Sequence, residues 1–111
     1  MMKRIEVSDM VGGRRAIYVA DIDMLEDELS SSWGQGEEFD DPWDLGRRIT
    51  FAFRLDSGQD VSLTRVQNQL TPGFSLFIRA DSPVETFLEE TLRVFLSAFE
   101  LPDDQVLAKG F

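Results

Sequence analysis

Residues 47–55 read RRITFAFRL, and this stretch decides the expected fold. Its apolar residues occupy every second position, as in a strand that buries one face. They are Ile49, Phe51, Phe53 and Leu55. Residues 56–59 (DSGQ) are typical of a turn, and residues 60–66 (DVSLTRV) alternate again. We therefore predict an antiparallel hairpin from residue 47 to residue 66.

Further strands are predicted on both sides of this hairpin. Residues 3–9 (KRIEVSD) and 14–20 (RRAIYVA) also alternate, and Gly12-Gly13 between them favours a first hairpin. Residues 74–80 (FSLFIRA) follow the turn signal Pro72-Gly73 and give a fifth strand.

A helix near the C-terminus is predicted to cover the sheet. Residues 82–85 (SPVE) are typical of a helix start, because Ser caps, Pro fits the first turn and Glu closes a capping box. Apolar residues then recur at helical spacing from Val84 to Phe99, and Pro102 ends the helix near Leu101. The sequence predicts an α+β two-layer sandwich, with a mainly antiparallel five-stranded sheet in the order β-β-α-β-β-β-α and a long C-terminal core helix.

The length of 111 residues suits one domain, and we expect a single α+β domain over residues 1–111. Residues 21–46 are expected to form an acidic helix and loop insertion, and residues 102–111 a C-terminal tail. No apolar run is long enough for a membrane span or a secretory signal. We therefore expect a cytoplasmic protein that does not bind membranes.

Negative charge is concentrated between Asp21 and Asp44, where ten carboxylates occur without one Lys or Arg. The formal net charge is -10, and outside this stretch acidic and basic residues are equal in number. Ile22, Leu25 and Leu29 recur at helical spacing, which predicts a marginal amphipathic helix from residue 21 to residue 30 with Asp21 as its N-cap. Residues 34–46 have no period and predict a loop.

The composition disfavours catalysis and metal binding. The chain has no His and no Cys, so the usual general base, thiol nucleophile and thiolate ligand are missing. Asp21-x-Asp23 begins like a calcium loop, but Leu25, Glu26 and Ser32 occupy positions where that loop requires an oxygen ligand, Gly and Glu. No glycine-rich phosphate motif occurs either. We predict neither enzymatic activity nor a cofactor.

The excess negative charge predicts a basic protein partner. Arginines at positions 14, 15, 47 and 48 flank the acidic stretch, but four arginines cannot neutralise ten carboxylates. Complementary charge steers encounter, and aromatic side chains are common interface anchors. The predicted contact residues are Asp27, Glu28, Trp33, Glu37, Glu38, Phe39, Asp40, Asp41, Trp43 and Asp44.

We therefore predict a small binding module, of the inhibitor or immunity and anti-defence type, whose carboxylates mimic nucleic acid towards a basic protein. The net charge disfavours direct contact with nucleic acid. Two alternatives stay open. Trp33 and Trp43 can fold back onto the sheet, or the chain can be an assembly module that forms a homodimer through a sheet edge, Phe77 or the tail residues Val106, Leu107 and Phe111.

Overall fold

The computed structural model describes residues 2–40, 46–67, 69, 72–82 and 85–111. The strands and α-helices in chain order are β1 (Lys3–Ile5), β2 (Arg15–Ile22), α1 (Glu26–Trp33), β3 (Glu37–Asp40), β4 (Arg47–Arg54), β5 (Asp60–Val66), β6 (Phe74–Ala80), α2 (Glu85–Ala98) and β7 (Val106–Lys109). Short 3-10 turns form at Val7–Asp9 and Asp103–Gln105. The predicted α+β class with an antiparallel sheet is confirmed.

The sheet has seven strands across the described residues, so the prediction of five was wrong. Its order is β1-β4-β5-β6-β2-β7, and β3 pairs with the part of β4 that β1 leaves free. The β4–β5 hairpin is confirmed, with Phe51 opposite Leu63 and Phe53 opposite Val61. The two unpredicted strands, β3 and β7, are four residues long and lie in the predicted loop and tail. Their own sequences carry little strand signal, so the neighbouring strands determine their pairing.

The predicted hairpin of the first two strands was also wrong. β1 pairs with β4, whereas β2 lies between β6 and β7 on the other side of the sheet. Residues 6–14 therefore cross from one side to the other. A Cβ atom at Gly13 would collide with the backbone of Ala80, and Gly12 has a φ of 124°. These glycines thus allow a close passage of the chain over β6 rather than a tight hairpin turn.

The core lies between one face of the sheet and the two helices. Its largest fully buried side chains are Phe51 and Phe53 of β4, Phe74 of β6 and Phe95 of α2. One aromatic cluster in this core consists of Trp33, Phe53, Phe95 and Phe99. Trp33 packs on Phe53 with ring centroids 5.2 Å apart, and Phe53 packs on Phe99 at 5.1 Å. α1 and α2 are therefore joined over β4 by aromatic contacts.

α2 has 14 residues and is not the long helix that the sequence predicts. Glu100 takes a left-handed conformation, with φ of 56°, and the Leu101 N–H donates to the Leu96 carbonyl at 2.8 Å. This backbone arrangement ends the helix before Pro102 is reached. Pro83 and Val84, which belong to the predicted helix start, lie outside the described residues.

α1 begins at Glu26, not at Asp21 as predicted. β2 continues through Ile22, because Asp21 and Ile22 pair with Ser75 and Phe74 of β6. Ile22 is consequently buried on a strand, and Leu25 precedes the helix with 61% of its surface exposed. Over the part of the chain that the structure describes, neither helix has the length and apolarity needed to cross a membrane.

Candidate binding surfaces

The acidic stretch is divided among the end of β2, the connection to α1, the first turn of α1, and β3. These places differ in how the carboxylates are paired. Asp41, Trp43 and Asp44, three of the predicted contact residues, lie outside the described residues. The other seven can be assigned to a surface or to the interior.

Asp21 is occupied by contacts within the protein. It accepts a hydrogen bond from the Ser75 hydroxyl at 2.7 Å. Burial, followed by the hydrogen bond to Asp21 and the negative charge of Asp21, raises the pKa of Tyr18 to about 12. Asp21 therefore has a structural partner on the sheet.

Tyr18 is the only tyrosine in the chain, so its ionisation can be followed directly. We expect the ultraviolet absorbance of tyrosinate to rise with a midpoint near pH 12 in the folded protein and near the ordinary value of 10.0 in urea. The raised pKa favours the folded state fully below pH 10, and this advantage is lost as the pH rises through about 12. Asp21→Asn should lower the midpoint because the charge is removed. A folded-state midpoint near 10 in the wild type would contradict the contact.

The carboxylates of β3 are held by neighbouring groups. Glu37 accepts the Val7 N–H at 2.8 Å, which fastens the first 3-10 turn to β3. Glu38 forms an ion pair with Arg47 at 2.9 Å, and Asp40 lies 3.8 Å from the same guanidinium. Both pairs are exposed, so each contributes at most about 1 kcal/mol to stability. Of the four arginines that flank the acidic stretch, Arg47 thus neutralises part of its charge.

The connection to α1 and its first turn form the acidic patch, which we define as residues 23–28. Asp23, Glu26, Asp27 and Glu28 are exposed there, and none forms an ion pair with another described residue. The three acids at 26–28 stand at the helix N-terminus, where the helix dipole favours negative charge. The helix predicted from the sequence begins at Asp21, so these three acids were expected near its opposite end. Leu25 projects among them as an exposed apolar side chain.

Trp33 packs onto the core, as in the alternative in which this side chain folds back onto the sheet. Besides Phe53, it contacts Phe99 with ring centroids 6.2 Å apart. Arg4 donates to the Trp33 carbonyl at 2.9 Å and to the Gln35 carbonyl at 3.0 Å, so a cation satisfies the last carbonyl of α1 and one just beyond the helix. Trp33 therefore fastens the helix rather than presenting a ring to a partner.

The face of the sheet opposite the helices carries a groove that the sequence did not reveal. Its volume is about 410 Å³. Thr50, Ser62, Thr64 and Ser75 line the groove from β4, β5 and β6, and Val7, Met10 and Phe39 border it. The alternating pattern of the strands indicates a face of small polar residues. The border of the groove depends on the crossing of residues 6–14, and the hairpin predicted for this region did not include such a crossing.

One buried charge holds this crossing in place. Asp60 is only 1% exposed and accepts hydrogen bonds from the Arg54 side chain at 2.7 and 3.0 Å and from the Val11 N–H at 2.8 Å. Burial by itself would raise the pKa of Asp60, but the hydrogen bonds and the charges of Arg54 and Lys3 lower it below 3.8. Asp60 accordingly has a structural role.

No three acidic side chains among the described ranges are placed so that they could hold a metal ion together. Comparison with protein families, with curated proteins and with solved structures finds no match to this chain. Any functional conclusion therefore depends on the surfaces described above.

Proposed function

We propose that this protein binds a basic protein through the acidic patch. The observation that supports the proposal most directly is the exposure of Leu25, by 61%, among four exposed carboxylates that lack ion pairs within the described chain. An exposed apolar side chain surrounded by charge of one sign suits a partner with an apolar pocket and a basic rim.

The acidic patch is a better contact surface than β3, although both belong to the predicted region. Glu37, Glu38 and Asp40 already have partners in the protein, so a basic ligand would compete with Val7 and Arg47. Among the residues that the structure describes, Asp27 and Glu28 have no such competitor. Phe39 of β3 is 37% exposed and can act as a peripheral contact.

The charge of this protein favours a partner whose natural ligand is a polyanion, such as a protein that binds nucleic acid. Three consecutive acids on a helical turn spread around the helix axis by about 100° each, so they present an arc of negative charge. An inhibitor or immunity-type protein that competes with nucleic acid would use such a surface. This protein would then act by binding and not by catalysis.

Charge reversal at the acidic patch should abolish binding. We expect Glu26→Lys, Asp27→Lys and Glu28→Lys together to reduce recovery of the partner by about tenfold or more, since opposed charges are replaced by like charges. A matched control carries Glu89→Lys, Asp103→Lys and Asp104→Lys, which change the net charge equally at exposed positions outside the acidic patch. Recovery is measured by affinity capture from a lysate, with mass spectrometry.

Two additional conditions make this experiment decisive. The neutral variant Glu26→Gln, Asp27→Asn and Glu28→Gln avoids placing cations at a helix N-terminus and should still weaken binding. Double-stranded DNA added during capture should displace the partner if the partner binds nucleic acid. Equal loss in the patch variant and the control variant would show that only net charge matters, and the proposal would fail.

A second candidate function is self-association through β7. Among the described strands this one ends the sheet and pairs only with Ala20–Ile22 of β2, and it carries Leu107 with 47% of its surface exposed. Open strand edges can pair with a second copy. Phe77 instead lies beside Tyr18 and lines the groove, so it covers the sheet. Light scattering at low and high salt separates the candidates, because an apolar homodimer persists in salt and acidic capture weakens.

A further inference from the structure

The groove on the open face of the sheet differs in charge from the rest of the protein. Arg48 and Arg79 are among the described residues that line it, and no Asp or Glu is. The whole chain has 21 acidic and 11 basic residues, so a cationic lining is the opposite of its average charge. Three other clefts each include at least one carboxylate. Glu90 lines the first cleft, Glu89 and Asp103 line the second, and Glu6, Asp9 and Glu37 line the third.

The groove also has the size and composition of a small-molecule site. Ligand pockets commonly occupy about 300–1,000 Å³ and combine apolar walls with a few polar groups. Here the volume is about 410 Å³, the walls include Met10, Val66 and Phe77, and hydroxyl groups line part of it. The hydroxyls of Thr50 and Thr64 share a hydrogen bond at 3.1 Å, and Arg48 and Arg79 supply the cations of the lining.

Arg48 is the cation best placed to contact a ligand. Its cross-strand neighbours are Phe39 on β3 and Val66 on β5, and both line the groove. It is exposed and forms no hydrogen bond or ion pair within the described residues. Arg79 stands near the end of β6, at the opposite end of the groove, and donates to the Arg14 carbonyl at 3.4 Å.

We infer that this groove binds a small organic anion with an apolar body, such as an aromatic sulfonate or carboxylate. The anionic group contacts the Arg48 guanidinium, which offers several N–H donors in one plane. The apolar body lies along Val66 and Phe77. This site is separate from the acidic patch, so it does not depend on the proposed capture of a basic protein.

Two probes of nearly the same shape test the charge requirement. Anilinonaphthalene sulfonate carries an anionic group on an apolar ring system, whereas phenylnaphthylamine has the rings without the charge. Fluorescence titration of the folded full chain should show saturable binding of the sulfonate, with one probe per chain. Arg48→Gln should weaken sulfonate binding by about tenfold and change phenylnaphthylamine binding by less than about twofold.

Two matched arginine variants serve as controls. Arg79→Gln should weaken sulfonate binding less than Arg48→Gln does, and Arg93→Gln, on the exposed side of α2, should leave it unchanged. Thr64→Phe, which fills the groove, should reduce binding of both probes, and near-ultraviolet circular dichroism reports whether that variant is folded. All three arginines are at least partly exposed, so their variants keep the test valid if Thr64→Phe does not fold.

Several results would overturn the inference. These are an absence of saturable sulfonate binding, equal weakening by Arg93→Gln and Arg48→Gln, or a larger effect of Arg79→Gln than of Arg48→Gln. A dimer in sedimentation together with no bound probe would also overturn it, because a second copy of the chain would then account for this face.

Discussion

Phe53→Ala is expected to lower the free energy of unfolding by about 3–5 kcal/mol. Phe53 is fully buried, and its ring contacts Trp33 of α1 and Phe99 beyond the end of α2. Truncation leaves a cavity where both helices meet β4 and removes two edge-to-face ring contacts. Domains of this size are stable by about 5–15 kcal/mol, so the loss is a large part of the total. Urea unfolding followed by circular dichroism measures it.

Phe87→Ala is the matched control for this prediction. Phe87 belongs to α2 but is 42% exposed, so its truncation should change the free energy of unfolding by less than about 1 kcal/mol. If Phe53→Ala were as mild as Phe87→Ala, the aromatic contact between the two helices and β4 would not be a main source of stability.

Asp60→Ala is expected to cost about 3 kcal/mol, the second large effect. The variant removes the carboxylate that accepts hydrogen bonds from the Arg54 side chain and the Val11 N–H. Asp60 itself is only 1% exposed. Removing one partner of a buried charged pair costs more than the pair itself contributes, because the other partner loses its counter-charge and its hydrogen bonds. Asp104→Ala, at an exposed position, is the control and should have little effect.

The pH dependence of stability gives a second measure of the Asp60 contact. The folded-state pKa of Asp60 lies below its ordinary value of 3.8, so the unfolded chain binds this proton more readily. The stabilisation is therefore fully present above about pH 4 and is lost as the pH falls through the folded-state pKa. Stability of Asp60→Ala should fall less steeply below pH 4 than that of the wild type. Equal slopes would show that Asp60 is not stabilised as a carboxylate.

The β4–β5 hairpin and β6 could be predicted because their alternation reflects burial of one face. The errors in strand pairing arose in two ways. β3 and β7 have weak patterns of their own and form because β4 and β2 offer free edges. The predicted first hairpin was wrong because Gly12-Gly13, a turn signal in the sequence, instead allows the chain to pass close over Ala80. Pairing across the sheet is not encoded locally.

The candidate surfaces were predictable in charge but not in detail. The acidic composition of residues 21–44 is evident from the chain, and Asp27 and Glu28 are exposed as expected. That Glu38 is paired with Arg47, and that Trp33 is inside, depends on where β3 and α1 lie. Leu25 was predicted to lie on the apolar face of a helix because the helical spacing included it, although α1 begins one residue later.

Carbodiimide coupling of this protein to its captured partner tests the central claim most directly. The reagent joins a carboxylate only to an amine that touches it, so mass spectrometry of the product identifies the contacting side chains. Binding through the acidic patch predicts that Glu26, Asp27 and Glu28 are the main sites joined to lysines of the partner. Coupling confined to Glu89, Glu100, Asp103 and Asp104, with none at residues 23–28, would contradict the proposed function.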